Sequence, residues 1–186
     1  MLLAPEKTAF LHLLHTRQVF AYPTEAVYGL GGDPLDADIF AHILRLKGGR
    51  RPGQGMLLVA ASWQQCADWV DGLTPALVRQ LEAQAAGRAT TYILPATAHV
   101  PTRLCDEATG RIAIRVSRHP LVRQLCLWAD SPLISTSANP SGAPPARSAA
   151  DVQHYFPALP VIAGAPGGEG KPSRLIDVAN ATLIRD

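Results

Sequence analysis

Short apolar runs of strand length alternate with amphipathic segments along this chain, and that alternation limits its fold more than any other feature. "MLLVAA" (56–61) is apolar at every position and has the length of a strand. "QVFAY" (18–22), "TTYILP" (90–95), "RIAIRVS" (111–117) and residues 132–135 read the same way. The tail adds closely spaced strands at 160–163, 174–178 and 181–185, which predicts a mixed sheet. Between these runs lie helical patterns. "DADIFAHILRLK" (36–47) places Ile39, Phe40, Ile43 and Leu44 on one stripe, and Gly48-Gly49 ends it. Further helices are expected over Pro5–Thr16, from a Ser62 cap through Val70, from Thr74-Pro75 onward, over 120–129 and over Ser148–Tyr155. The pattern predicts an α/β fold, one domain over residues 1–186, with a mixed sheet flanked by helices.

The chain is 186 residues long, 47% hydrophobic and 17% charged, which suits a domain with a real core and excludes disorder. No apolar run approaches a membrane span, so no membrane partner is expected. The N-terminal stretch does not read as a signal peptide, since its first lysine follows the opening apolar residues. Cys66, Cys105 and Cys126 show no CxxC spacing. That argues against a zinc site or a disulfide framework and predicts a reducing, cytoplasmic setting.

The net charge of +2 says little, but its distribution says more. "RLKGGRRPG" (45–53) holds four positive charges and no acid. "RIAIRVSRHPLVR" (111–123) holds Arg111, Arg115, Arg118 and Arg123, again without an acid. Any one of these arginines reads most simply as solvated surface. Two acid-free basic stretches in one small domain point instead to a polyanion, either nucleotide phosphates or RNA.

Several sites are excluded. The chain has no GxSxG elbow and no GxGxxG after a strand. "GGEGKPS" has the wrong spacing for a phosphate-binding loop, and Pro172 stands where a helix would begin. His12 and His15 lack acidic or Cys companions and read as surface residues. Three donor-rich loops remain. "YPTEAVYGLGGDP" (22–34) offers Thr24 and Glu25, and "LKGGRRPGQG" (46–55) offers Lys47, Arg50 and Arg51. "LISTSANPSGAPPAR" (133–147) offers Ser135, Thr136, Ser137, Asn139 and Ser141. Hydroxyls with Lys and Arg suit a bound phosphate, and ligands of open α/β sheets sit at strand ends. One such loop would read as a turn capped by its own side chains. Three in one chain favour an anion site. The Gly/Pro-rich segment 164–173 reads as a lid or a connection.

"AYPTEAVYGLGGDP", the Lys-x-x-Arg segment before "GMLLVAA", "AIRVSRHPL", "LISTSANPSGAPP" and the tail "KPSRLID" together resemble the YrdC-like threonylcarbamoyl-AMP synthases in their short, single-domain form. The resemblance implies a twisted sheet with an open, basic concave face, the YrdC-like fold. It implies that L-threonine, bicarbonate and ATP, with Mg²⁺, give threonylcarbamoyl-adenylate and pyrophosphate. A downstream tRNA threonylcarbamoyl-transferase complex would use the product, and a direct tRNA contact is a further partner to expect. By position, Lys47 and Arg50 match the catalytic pair facing the ATP phosphates, and Thr24 a residue near threonine. Thr91, Arg115, Ser135, Ser137, Asn139, Arg147 and Ser173 match further substrate-binding positions. Lys47-Gly-Gly-Arg50-Arg51 is one residue longer than the usual Lys-x-Arg, so Arg51 competes with Arg50 for that role. "AAGRATTYILPA" replaces the Trp-Pro-Gly-Pro that often precedes the third strand. Such chemistry asks for positioning and charge stabilisation, not for a covalent protein nucleophile. Two other readings stand beside it. One is an RNA-binding module using the basic face. The other is a carbamoyl-transfer domain of hydrogenase maturation, whose longer chains carry Cys-paired zinc fingers that are absent here.

Overall fold

The computed structural model describes residues 4–49, 53 and 55–186. The chain runs through α1 (Ala4–His15), β1 (Phe20–Pro23), β2 (Tyr28–Gly31), α2 (Ala37–Leu46), β3 (Leu57–Ala60), α3 (Pro75–Gln84), β4 (Thr90–Pro95) and β5 (Arg111–Val116). It continues through α4 (Pro120–Ala129), β6 (Leu133–Ile134), β7 (Thr136–Ser137), α5 (Ala149–Tyr155), β8 (Arg174–Asp177) and β9 (Thr182–Arg185). Helix starts follow local chemistry. Asp36 accepts the main-chain N–H groups of Asp38 and Ile39, Thr74 accepts that of Leu77, and Ser148 with Asp151 closes a capping box. α2 stops at two glycines with φ of 68° and 98°.

The strands form a six-stranded sheet of order β6-β3-β5-β4-β8-β9 and a three-stranded sheet of order β1-β2-β7. In the larger sheet β3–β5 and β4–β8 are parallel and the other pairs antiparallel, so the expected mixed sheet with flanking helices is present. Its strands divide between two sheets where one was expected. The extra strand β2 lies in "YGLG", which the sequence presents as loop because glycine weakens a strand signal. Gly31 is required there: a Cβ would lie 2.4 Å from the Tyr22 ring. Residues 160–163 make only an isolated bridge, Ala21 to Val161, since Pro160 cannot donate to a ladder. Ser62 does cap its turn, accepting the Gln65 N–H, but only a single 3₁₀ turn, Gln64–Cys66, follows.

Alternation of side chains separates the two faces of the larger sheet. Leu58, Tyr92, Leu94, Ile112 and Ile114 pack into the main core with Ile39 and Ile43 of α2 and Leu81 of α3. A second cluster joins α1 and α4 to Phe20, Tyr22, Val59 and Leu133. The intervening residues Leu57, Thr91, Ile93, Ala113, Arg115 and Leu175 line an open cavity instead. Gly55 holds one edge of it against the 104–106 segment. A Cβ there would sit 2.6 Å from Asp106 N and 2.7 Å from Cys105 C, both main-chain atoms that cannot swing aside. Gly55→Ala is therefore expected to lose about 1–3 kcal/mol, as overpacked sites do. A thermal melt checks this, and an unchanged Tm would show that the two segments separate freely.

Candidate active site

The floor of the cavity is the sheet face just described, and the space above it is about 480 Å³. The small side chains of Ala113 and Thr91 keep this floor low, and Gly29 of the smaller sheet adds no side chain to the lining, which leaves room for a ligand of nucleotide size.

The Ser-Thr-Ser-Ala-Asn stretch forms one wall. Ile134 pairs with Leu58 in the larger sheet, while Thr136 pairs with Leu30 in the smaller one. Ser135 stands at the crossing, buried, with its N–H on Leu57 O at 2.9 Å. A chain that changes sheets within two residues must bend sharply, and a large side chain at the bend would fill the cavity. The turn beyond it is closed by Asn139, whose amide donates to Pro140 O and Ala143 O at 2.9 and 2.6 Å. Part of the donor crowding in this stretch thus serves the turn itself, while Ser135, Thr136 and Ser137 line the cavity.

Lys47 approaches this turn from the C-terminal end of α2. Its Nζ donates to Ser137 O at 2.8 Å and Asn139 Oδ1 at 3.0 Å, and lies 3.3 Å from Ser137 Oγ. Only 7% of the residue is exposed, and it is not among the residues lining the cavity. Ser141 fastens the same junction through its N–H on Lys47 O and its hydroxyl on Gly49 O.

The opposite wall joins Thr91 and Ser173, whose hydroxyls lie 2.8 Å apart in a buried pair. Arg185, from β9, donates through Nε and Nη2 to Ser173 O at 3.2 and 2.9 Å and lines the cavity. Burial, followed by the charges of Arg115 and Arg88, lowers the pKa of this guanidinium from its ordinary value. Arg111 also lines the space and is paired with Asp177 at 2.8 Å. On the floor, Arg115 pairs with Glu25 at 3.3 Å. Three lining arginines (111, 115 and 185) therefore face three lining carboxylates, Glu25, Asp106 and Glu169.

The segment 164–173 reaches the cavity as a strap, with Glu169, Pro172 and Ser173 in the lining. Gly167 N donates to Thr24 O and Glu169 N to Glu25 O, both at 2.9 Å. Tyr28 Oη donates to Gly164 O, and the Glu169 carboxylate accepts the Ala89 N–H at 3.1 Å. A Cβ on Gly167 would meet Glu25 O at 3.2 Å, so the close approach of the two main chains is built into the sequence.

Of the residues expected from sequence, the structure gathers Thr24, Thr91, Arg115, Ser135, Ser137 and Ser173 around one cavity. Thr24 Oγ1 donates to Val27 O within its own turn. Lys47 and Asn139 stand behind the lining, and Arg147 is exposed and is not among the lining residues. Arg50 and Arg51 lie outside the described residues. Arg185, Arg111 and Glu169 line the cavity without having been singled out from sequence as site residues. Arg185 carries no motif signal, and only the β4-β8-β9 order brings it here.

Among the described residues no helix is long and apolar enough to cross a membrane. Residues 12–186 match the Sua5–YciO–YrdC domain, described as telomere recombination. The chain is 48% identical over 171 residues to a threonylcarbamoyl-AMP synthase of Dichelobacter nodosus, covering 90% of this chain and 87% of that one. It is 42% identical over 183 residues to a protein of the same name from Serratia proteamaculans, covering 96% and 94%. Among solved structures, P. abyssi Sua5 complexed with L-threonine aligns with a TM-score of 0.82 at 26% identity. That match covers 94% of this chain and 51% of the longer one. The two-sheet fold, the hydroxyl-lined cavity and relatives matched across most of their length place the chain in the Sua5–YciO–YrdC family, the one its motifs resemble.

Proposed function

We propose that the chain is a threonylcarbamoyl-AMP synthase, joining L-threonine, bicarbonate and ATP into threonylcarbamoyl-adenylate with release of pyrophosphate. One observation carries this reading: six of the residues that the family motifs single out converge on one cavity, in a chain 48% identical to a protein bearing that name. The threonine amine adds to the carbon of bicarbonate, and the amine proton leaves with the departing hydroxide as water, which gives the carbamate. The carbamate oxygen then attacks the α-phosphorus of ATP, and pyrophosphate departs. This chain's share is to hold two anionic substrates together and to balance the charge that builds on the phosphates. Arg115 and Arg185 supply fixed positive charge from floor and wall. The hydroxyls of Ser135, Ser137, Thr91 and Ser173 supply short hydrogen bonds that small side chains can bring close. Lys47 steadies the Ser137–Asn139 turn, and the motif assigns Arg50 or Arg51, outside the described residues, to the phosphates.

Among the described residues no three His, Cys, Asp or Glu side chains cluster to hold a metal ion. The donor set therefore fits Mg²⁺ arriving on the ATP phosphates as part of the substrate, as is usual for this ion. The product's mixed anhydride would pass to a tRNA-modifying transferase.

Pyrophosphate release is expected to need ATP, threonine and bicarbonate together. Omission of each in turn, in a coupled pyrophosphate assay, checks this. Release undiminished without threonine would mean a different acceptor. RNA affinity that falls steeply with salt, without any turnover, would favour the RNA-binding reading instead.

A further inference from the structure

Glu25 is the lining carboxylate that is paired with a lining arginine, Arg115, and the reading above gives it no task. It is 5% exposed, and its two oxygens are used very differently. Oε1 accepts the Ser117 hydroxyl at 2.6 Å and the Arg118 N–H at 3.1 Å. Ser117 is itself fixed, since its N–H donates to Ala60 O at 2.9 Å and its Oγ accepts the His119 N–H at 3.1 Å. Oε2 is buried, has no hydrogen bond, and faces Arg115 Nη2 at 3.3 Å. Arg115 Nε is likewise buried without a hydrogen-bond partner. The pair is therefore held by charge across an imperfect contact, and the anchors on Oε1 decide where the negative charge sits. Burial alone would raise the Glu25 carboxyl. Arg115 and the hydrogen bonds from Ser117 and the main chain outweigh it and hold the group below its ordinary range. Through its own carbonyl, Glu25 also seats the strap by way of Glu169 N.

We infer that Glu25 is a positioning residue, which sets the aim of the Arg115 guanidinium into the cavity and ties that aim to the seating of the strap. The inference rests on the synthase reading for its kinetic consequence and on the Glu25–Arg115–Ser117 geometry for its structural one. A glutamine here could keep its oxygen on Ser117 and Arg118. Its amide would then present donors to a guanidinium that has only donors, so Arg115 would turn away. A displacement of about 1 Å in a positioned group can lower turnover by about a hundredfold.

The test uses E25Q, R115M and the double variant E25Q/R115M, each with its Tm measured. R115M alone leaves a buried carboxylate unpaired, and the double variant removes that burden. E25Q is expected to lower kcat/KM by about ten- to a hundredfold while remaining folded. The double variant should lose no more than R115M, because Glu25 acts through Arg115. Losses that multiply would make Glu25 an independent catalytic group and overturn the inference. So would an E25Q protein with a lowered Tm and kcat/KM unchanged per folded molecule. A second readout does not depend on turnover. In ¹H–¹⁵N spectra the buried Arg115 Nε–H should be protected from water in the wild type and exposed to exchange in E25Q. A signal unchanged in E25Q overturns the inference. If the wild type shows no threonine- and bicarbonate-dependent turnover, the synthase reading fails, and the Arg115 signal alone decides the role of Glu25.

Discussion

Lys47→Ala is expected to lower turnover by about a hundredfold or more and, unlike a change at a purely ligand-facing residue, to lower stability as well. The motif resemblance gives Lys47 a place at the ATP phosphates, which on its own predicts a loss of rate with the fold left intact. The geometry adds a structural share. The ammonium sits on Ser137 O and Asn139 Oδ1, and Asn139 in turn closes the Pro140–Ala143 turn. Without Lys47, Asn139 Oδ1 loses its charged donor, and a buried group left unsatisfied costs about 1–3 kcal/mol, while Ser137 O keeps the Asn139 N–H at 3.0 Å. The rate should fall as well, because Ser135 and Ser137 reach the cavity only while this turn keeps its shape, and a lost stabilising donor at a reacting phosphate costs about 10²–10³ in rate. Lys47→Arg should rescue little, since a planar fork cannot replace one compact ammonium between a carbonyl and an amide oxygen. Pyrophosphate release and a melt on the same preparations check this. A destabilised Lys47→Ala protein working at full speed per folded molecule would remove Lys47 from the site altogether.

What could be read from the sequence here was mostly local. In "TTYILP" and "RIAIRV" the period of two already separates Tyr92, Leu94, Ile112 and Ile114, which pack, from Thr91, Ile93, Ala113 and Arg115, which face the cavity. The stripe of α2, its Asp36 cap and its glycine stop are equally local, and they deliver Lys47 to its position. The second sheet was hidden because β2 is half glycine and β7 is two residues long, so neither shows a strand pattern. Pairing alone makes them strands: Gly29 with Ser137 and Leu30 with Thr136. The Glu25–Arg115 contact and the strap seated on Thr24 and Glu25 join segments far apart in the chain, and no spacing rule reports such contacts. The loop with Arg50 and Arg51 lies outside the described residues, so the choice between those two arginines rests on the motif alone.

Arg185→Ala should give the cleanest loss of function on the molecule. β9 is exposed at all four positions and forms the edge of the larger sheet, so truncating its last side chain removes little packing. Surface changes of this kind usually stay within about 0.5 kcal/mol. The hydrogen bonds lost are the part-buried ones to Ser173 O in the cavity wall. The electrostatics favour a functional role. Arg111 is neutralised by Asp177 and Arg115 by Glu25, whereas among the described residues no carboxylate lies within ion-pair distance of Arg185. Its nearest charged influences are positive, from Arg115 and Arg88, and they add to burial in lowering its pKa. Arg115 and Arg88 are each paired with a carboxylate, Glu25 and Asp186, whereas Arg185 has no such partner among the described residues and can take an arriving anion as its counter-charge. Loss of such a donor at a reacting phosphate typically costs about 10²–10³ in rate. Arg185→Ala is thus expected to show that loss in pyrophosphate release with Tm nearly unchanged. Arg185→Lys should recover part of it, because the charge remains while the two-pronged contact does not. Should Arg185→Ala turn over within about twofold of the wild type, the phosphates must lie against the Lys47 loop instead, and Arg185 would serve only to hold Ser173.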